Sequence, residues 1–169
     1  MIKDILLLGN PRLYEISEPI EKNELDSMKE VVADLHDTLF EYKRVHGAGR
    51  AIAAPQIGIN KRLFYMYIDH AVVFINPVLV FPDDEKFEVL DDCMSFPNLL
   101  VKVMRYKKTV IRYRDIEWNE CEMELTGDLS ELLQHEYDHL DGKLATMRAI
   151  DNKSFFLKGY TENNMQSPI

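Results

Sequence analysis

Between Arg62 and Leu125 the chain consists of short runs rich in β-branched and aromatic residues: Arg62–Tyr67, Val72–Phe81, Phe87–Leu90, Leu99–Met104, Thr109–Tyr113 and Cys121–Leu125. Turn-forming residues punctuate them, among them Asn76-Pro77, Pro82-Asp83-Asp84, Pro97-Asn98 and Trp118-Asn119. The pattern specifies a mostly antiparallel sheet region of roughly five to seven strands. Helical periodicity flanks it on both sides. From Asp26, the residues Met28, Val31, Val32, Leu35 and Leu39 recur at helical spacing and form one apolar stripe. Asp26 or Ser27 is placed to cap that helix, Lys43, Arg44 and His46 suit its negative pole, and Gly47 is a natural stop. A second helix covers about Leu129 to Leu140, after Gly127 and before Gly142, and a weaker third runs from Asp151 to Tyr160. The first twenty residues, with Gly9, Pro11, Ser17 and Pro19, read as an extended arm wrapped over the rest. The expected class is α+β, a single domain over residues 1–169 with a fraying tail at 163–169.

Composition narrows the function classes. At 169 residues and 46% hydrophobic, the chain can build a core without disulfide staples. Twenty basic residues against 29 acidic ones leave a net charge of −9, which argues against nucleic acid or an anionic membrane as a partner. No apolar run approaches the roughly 18–20 residues of a membrane span. The start, Met1-Ile2-Lys3-Asp4, lacks the features of a signal peptide. The expectation is a cytoplasmic protein with Cys93 and Cys121 as thiols.

The second helix carries His135-Glu136-Tyr137-Asp138-His139, an H-E-x-x-H pattern. Residues four apart lie one above the other on a helix face, so two imidazoles can converge on one divalent ion. Such an ion brings the pKa of a water it holds toward about 7, and Glu136 is placed to move the proton. Two His ligands leave the set incomplete. Ala145 stands where a metzincin has its third His, and the only downstream Glu is Glu162. Upstream candidates are Cys93, Cys121, His36, His46 and His70. Cys93 is preferred, as a thiol in the turn-like stretch Asp91-Asp92-Cys93-Met94-Ser95, whereas Cys121 reads as a small residue of a strand.

With those residues in place, the chain resembles the peptide deformylase family. Three motifs stand in the family's order: Gly49-Arg50-Ala51-Ile52-Ala53-Ala54-Pro55-Gln56, then Asp91-Asp92-Cys93-Met94-Ser95, then His135 to His139. The opening Ile5 to Leu13 and Gln134 are also similar to the family's own residues. The resemblance implies an α+β fold of mostly antiparallel sheets around a central metal-binding helix. It implies Cys93, His135 and His139 as metal ligands for one divalent ion, iron in the first place, with zinc or nickel able to replace it. It further implies Glu136 as general base and then acid, and Gln56 with the backbone N–H of Met94 as donors to the developing oxyanion. The reaction implied is removal of the N-formyl group from the formylmethionine of nascent peptides, releasing formate. The alternatives are a paralogue with an altered substrate pocket, or a non-catalytic binding protein that keeps the metal.

This chain departs from the family's pattern at informative places. Asp91 and Asp92 replace Glu and Gly; Asp91 is expected to pair with Arg105, and Asp92 to tolerate a positive φ if the backbone needs one. Arg50 replaces an apolar residue and is expected to pair with Asp92 across the cleft mouth. Asp128 and Glu131 share the ligand stripe of the helix, where the family usually has apolar residues lining the methionine pocket. Either Asp128 caps the helix while Glu131 bends to solvent, or the pocket is polar or cation-accepting. Few basic residues follow Arg148, only Lys153 and Lys158, which argues against docking on the ribosome through that segment.

Overall fold

The computed structural model describes residues 1–159. In chain order the elements are α1 (Leu25–His46), β1 (Ala51–Ala53), β2 (Leu63–Tyr67), β3 (Ala71–Val80), β4 (Lys86–Cys93), β5 (Phe96–Tyr106), β6 (Lys108–Arg114), β7 (Glu120–Thr126), α2 (Asp128–Leu140) and β8 (Phe155–Leu157). One sheet has five strands in the order β1-β2-β3-β6-β7, the other three in the order β4-β5-β8. Every neighbouring pair is antiparallel. The class is α+β, with α2 packed against strands of both sheets.

The six expected strands correspond to β2 through β7. Asn76-Pro77 does not end a strand: the register of β3 against β6 shifts between Ile75 and Val78, and Asn76 sits at φ 48°. A bulge there absorbs the proline, which cannot donate to a ladder. The Asn76 side chain closes the irregularity by accepting from Ile20 N (2.9 Å) and donating to Ile20 O (2.8 Å).

The third helix is not formed in the described part of its range. Residues Phe155–Leu157 instead pair with Leu99–Val101 of β5. The expected tail at 163–169 lies outside the described residues. Helix α1 ends as expected, with Gly47 at φ 73° and its N–H bonded to Lys43 O (2.8 Å). Its start differs: Glu24 is the N-cap, and Ser27 Oγ donates to Glu24 O (2.7 Å) instead of capping.

Three apolar clusters hold the layers together. Met28, Leu35 and Leu39 of α1 meet Ile52, Leu63, Tyr65 and Ile75. Leu132, Leu133 and Leu140 of α2 meet Phe64, Phe74 and Ile111 on the other face of the five-stranded sheet. Leu13, Phe96, Val101, Val103 and Leu144 join the arm to the three-stranded sheet. Helix α2 is thus buried nearly all round, and its polar side chains need partners inside the protein. Gln134 supplies one clamp: Oε1 accepts from Tyr106 N (2.9 Å) and Nε2 donates to Tyr106 O (2.8 Å). Ser130 adds another through Tyr106 O (2.8 Å) and Thr109 Oγ1 (2.6 Å).

The arm is extended and bonded to three segments that carry site residues. Leu6 N donates to Gln56 O, Leu8 N to Ser95 O and Ser17 N to Leu140 O, each at 2.8 Å. It crosses directly over Gly142, where an added Cβ would lie 2.6 Å from the Tyr14 carbonyl carbon and 2.9 Å from Glu15 O. Gly142 also holds φ +67°. Gly142→Ala is therefore expected to cost about 3 kcal/mol or more, from left-handed strain plus backbone displacement. Gly47→Ala, at a similar φ but with nothing within 4 Å of the added atom, is expected to cost only about 1 kcal/mol. Thermal unfolding of the two variants checks the contrast, and equal losses would remove the steric half of the explanation.

Candidate metal centre

The site is assembled by three local structures. After β1 the chain enters a short 3-10 turn, Ala54–Ile57, closed by Gly58 at φ 81°. Gln56 stands in that turn, and its Oε1 accepts from Ala53 N (2.9 Å). With the oxygen so engaged, Nε2 points at Ser95 Oγ (3.1 Å) and Cys93 Sγ (3.5 Å). Cys93 ends β4 and Met94 opens the tight connection to β5, closed by the pairing of Cys93 with Phe96. Ser95 N also donates to the Cys93 sulfur (3.4 Å). The third structure is α2, which presents His135, Glu136 and His139, all of them buried.

The donor atoms of Cys93, His135 and His139 lie within 4.8 Å of one another. His139 Nε2 is 3.2 Å from His135 Nε2 and 3.3 Å from Cys93 Sγ. Tetrahedral bonds of about 2.05 Å to nitrogen and 2.3 Å to sulfur would put N···N near 3.3 Å and N···S near 3.6 Å. The two observed edges are close to those lengths, so the three donors fit a single ion. Among the described residues no other group of this kind is present, and the other proposed third ligands stand elsewhere. His36 Nδ1 contacts Tyr65 Oη (2.7 Å), His46 stacks on Tyr42, His70 pairs with Asp69 (2.7 Å), and Cys121 lies on β7. Glu162 is outside the described residues.

A chain of charges behind the donors fixes His135. Asp91 Oδ1 lies 2.8 Å from His135 Nδ1 in a bent contact that leaves Nε2 facing the other two donors. The expected Asp91–Arg105 pair is formed, with Nη2 to Oδ2 at 2.7 Å. Arg105 Nη1 reaches Asp138 Oδ2 (2.6 Å), and Arg148 grips Asp138 through Nε (2.6 Å) and Nη2 (2.7 Å). Burial opposes ionisation of Asp91, but His135 and Arg105 outweigh it and hold its carboxyl well below the ordinary range. Burial likewise opposes charge on His135, yet Asp91 and Cys93 hold its pKa well above the usual value. Burial and the neighbouring His135 push His139 the other way, well below it.

Glu136 follows the first His and is 3% exposed, with no partner for Oε2 among the described residues. Burial pushes its carboxyl up to about 7, the range suited to proton transfer at neutral pH. It lines a cleft of about 460 Å³ together with Gln56, Cys93, Met94 and His135.

Three expectations about the cleft, for Arg50, Glu131 and Asp128, are corrected. Arg50 does not pair with Asp92; its Nη2 bonds Glu131 Oε1 (2.9 Å), while Asp92 pairs with Lys158 (3.1 Å). Asp92 needs no positive φ, since the non-glycine residues with one are Asn76 and Trp118 among those described. Glu131 does not bend to solvent: it is 8% exposed, and Arg50 satisfies it. Asp128 is exposed in the first turn of α2, and the N-cap is Gly127. Sequence reasoning assigned no role to Ser95, Asp138 or Arg148. Asp138 lay inside the H-E-x-x-H motif, so its position was visible even though its partners were not.

Residues 2–155 match the family model for polypeptide deformylase. A peptide deformylase of Cytophaga hutchinsonii is 33% identical over 172 aligned positions, covering 96% of this chain and 90% of that protein. The crystal structure of peptide deformylase from Thermotoga maritima superposes with a TM-score of 0.81 at 30% identity, covering 89% of this chain and 99% of that one. A Plasmodium falciparum peptide deformylase in complex with an inhibitor superposes with a TM-score of 0.78 at 32% identity, covering 87% and 89%. With matches of this breadth spanning all three motif segments, the chain belongs to the polypeptide deformylase family.

Proposed function

We propose that this protein is a metal-dependent peptide deformylase in which Cys93, His135 and His139 hold the ion. Glu136 acts as proton carrier, and Gln56 and the Met94 backbone N–H act as oxyanion donors. The single observation that carries the reading is the convergence of one sulfur and two imidazole nitrogens beside the cleft that Cys93 and His135 line together with Gln56 and Glu136. Ferrous iron is the proposed ion, with zinc or nickel able to replace it, because one thiolate and two imidazoles suit each of them. The ion, when bound, supplies a polarised water and a positive charge beside the formyl oxygen.

The chain's own residues do the rest. The Glu136 carboxylate takes a proton from the attacking water as its oxygen adds to the formyl carbon. The same carboxyl returns that proton to the departing nitrogen, so the C–N bond breaks to give formate and a free amine. Gln56 is preset for its part, because Ala53 N–H fixes its carbonyl end and leaves Nε2 beside Cys93 Sγ and Ser95 Oγ, from where it would donate to the developing oxyanion. The proposed substrates are formylated nascent peptides met in the cytoplasm, with no nucleic-acid or membrane partner and without ribosome docking through the segment after Arg148. The net charge of −9 supports this, and no helix among the described residues is long and apolar enough to cross a membrane.

The test is formate release from formyl-Met-Ala-Ser by protein loaded with ferrous iron in the absence of air. Turnover is expected, and Gln56→Leu is expected to lower kcat by about 10²–10³-fold with the ion still bound. No formate from any formyl peptide would end the proposal.

A further inference from the structure

The mouth of the metal-site cleft has a chemistry of its own. Lys43, Arg50 and Lys158 line it beside the carboxylates Asp91, Asp92, Glu131 and Glu136, in a chain whose net charge is −9. Two of these cations are unsaturated. Arg50 gives one hydrogen bond, from Nη2 to Glu131, and its side chain stays 42% exposed. Its Nε and Nη1 donate to no acceptor among the described residues. Lys43 has no carboxylate in ion-pair reach among the described residues; its Nζ lies 5.4 Å from the Phe40 ring centroid and 5.9 Å from that of Tyr67. The Lys43 stem packs beside Gly49, with Cγ 3.3 Å from where a Cβ would stand, so it borders the residue before Arg50. Lys158, by contrast, is occupied by Asp92 at 3.1 Å.

Glu131 holds Arg50 at a defined depth. It lies one turn of α2 before His135, a rise of about 6 Å. An extended peptide advances about 3.3 Å per residue. Arg50 and Lys43 line the same cleft as Cys93, His135 and Glu136, so a peptide whose formyl group sits at the metal centre shares that cleft with both side chains. We propose that Arg50 and Lys43 form an anion-accepting subsite beside the reacting amide, and that favoured substrates carry a carboxylate there. That carboxylate is either the side chain of the second residue or the terminal carboxylate of a very short formyl peptide. Glu131 is the positioning residue that keeps Arg50 in place. Paired guanidinium–carboxylate geometry suits Arg50 to this role, with Lys43 adding a second, point-like charge.

The inference rests on the deformylase reading, and kcat/KM for a set of peptides separates the two. At low salt, formyl-Met-Glu-Ser amide is expected to exceed formyl-Met-Lys-Ser amide by at least fivefold if the side chain is the anion. If the terminus is the anion, formyl-Met-Gln acid is expected to exceed its amide by the same margin. Whichever ratio is large is expected to fall below twofold at 0.5 M NaCl, since the cations are partly exposed and salt screens them. It is also expected to fall below twofold in Lys43→Gln/Arg50→Gln, and at least by half in Lys43→Gln alone, which uncovers no buried carboxylate. Formate release with both ratios under fivefold, or a large ratio unmoved by salt, overturns the subsite and leaves the deformylase reading intact. No formate from any peptide ends both.

Discussion

Glu136→Gln is expected to lower kcat for formate release by about 10³-fold, within the range that a positioned proton carrier contributes. That loss is worth about 4 kcal/mol of barrier. The substitution keeps the size and most of the contacts of the side chain and removes only its ability to take up and return a proton. Glu136 is not one of the three converging donors, so the ion is expected to remain at one per chain. Metal analysis alongside steady-state kinetics checks both halves. A variant that kept its ion and more than a tenth of its turnover would remove Glu136 from the reaction.

The second large effect concerns stability. Arg105 is 3% exposed and stands between two buried carboxylates, Asp91 and Asp138. Arg105→Leu would leave both with a partner missing, and breaking a buried pair from one side costs roughly 3–5 kcal/mol. For a chain of this length that is a fall in Tm of about 6–20 °C, at roughly 2–4 °C per kcal/mol. Asp91 would also lose the group that aims it at His135, so the ion is expected to bind about 10–100-fold more weakly. Arg148→Leu offers the comparison, because that side chain is 41% exposed and solvent can replace much of what it gives. It is expected to cost about 1–2 kcal/mol. Equal losses in calorimetry would mean that burial does not set the difference.

The parts of this molecule that could be read from the sequence are those fixed by neighbours along the chain. The His135–His139 spacing places two imidazoles on one helix face whatever the rest of the fold does, and alternation marked β2 through β7. Strand β1 escaped because Ala51–Ala53 carries no β-branched majority and owes its conformation to pairing with Phe64–Met66. Strand β8 was mistaken for helix for a related reason: Phe155–Leu157 is extended because it pairs with a strand more than fifty residues earlier in the chain.

The ion pairs divide along the same line. Asp91 and Arg105 sit on adjacent antiparallel strands, and their pairing was foreseen. Arg50 was assigned to Asp92 because both departed from the family pattern. Yet Glu131 and Lys158, from two other segments, reach them first. Partner choice between distant segments depends on topology, which local spacing does not encode.

The bonds of Leu6, Leu8 and Ser17 to Gln56, Ser95 and Leu140 have a bearing on biogenesis. A stretch made early by the translating machinery waits for anchor points that are made much later, the last of them at the far end of the ligand helix. Folding of the leading half alone cannot bring His135 and His139 to Cys93, so the three donors converge only once α2 has been made. Trimming those first residues would remove these bonds without altering Cys93, His135 or His139.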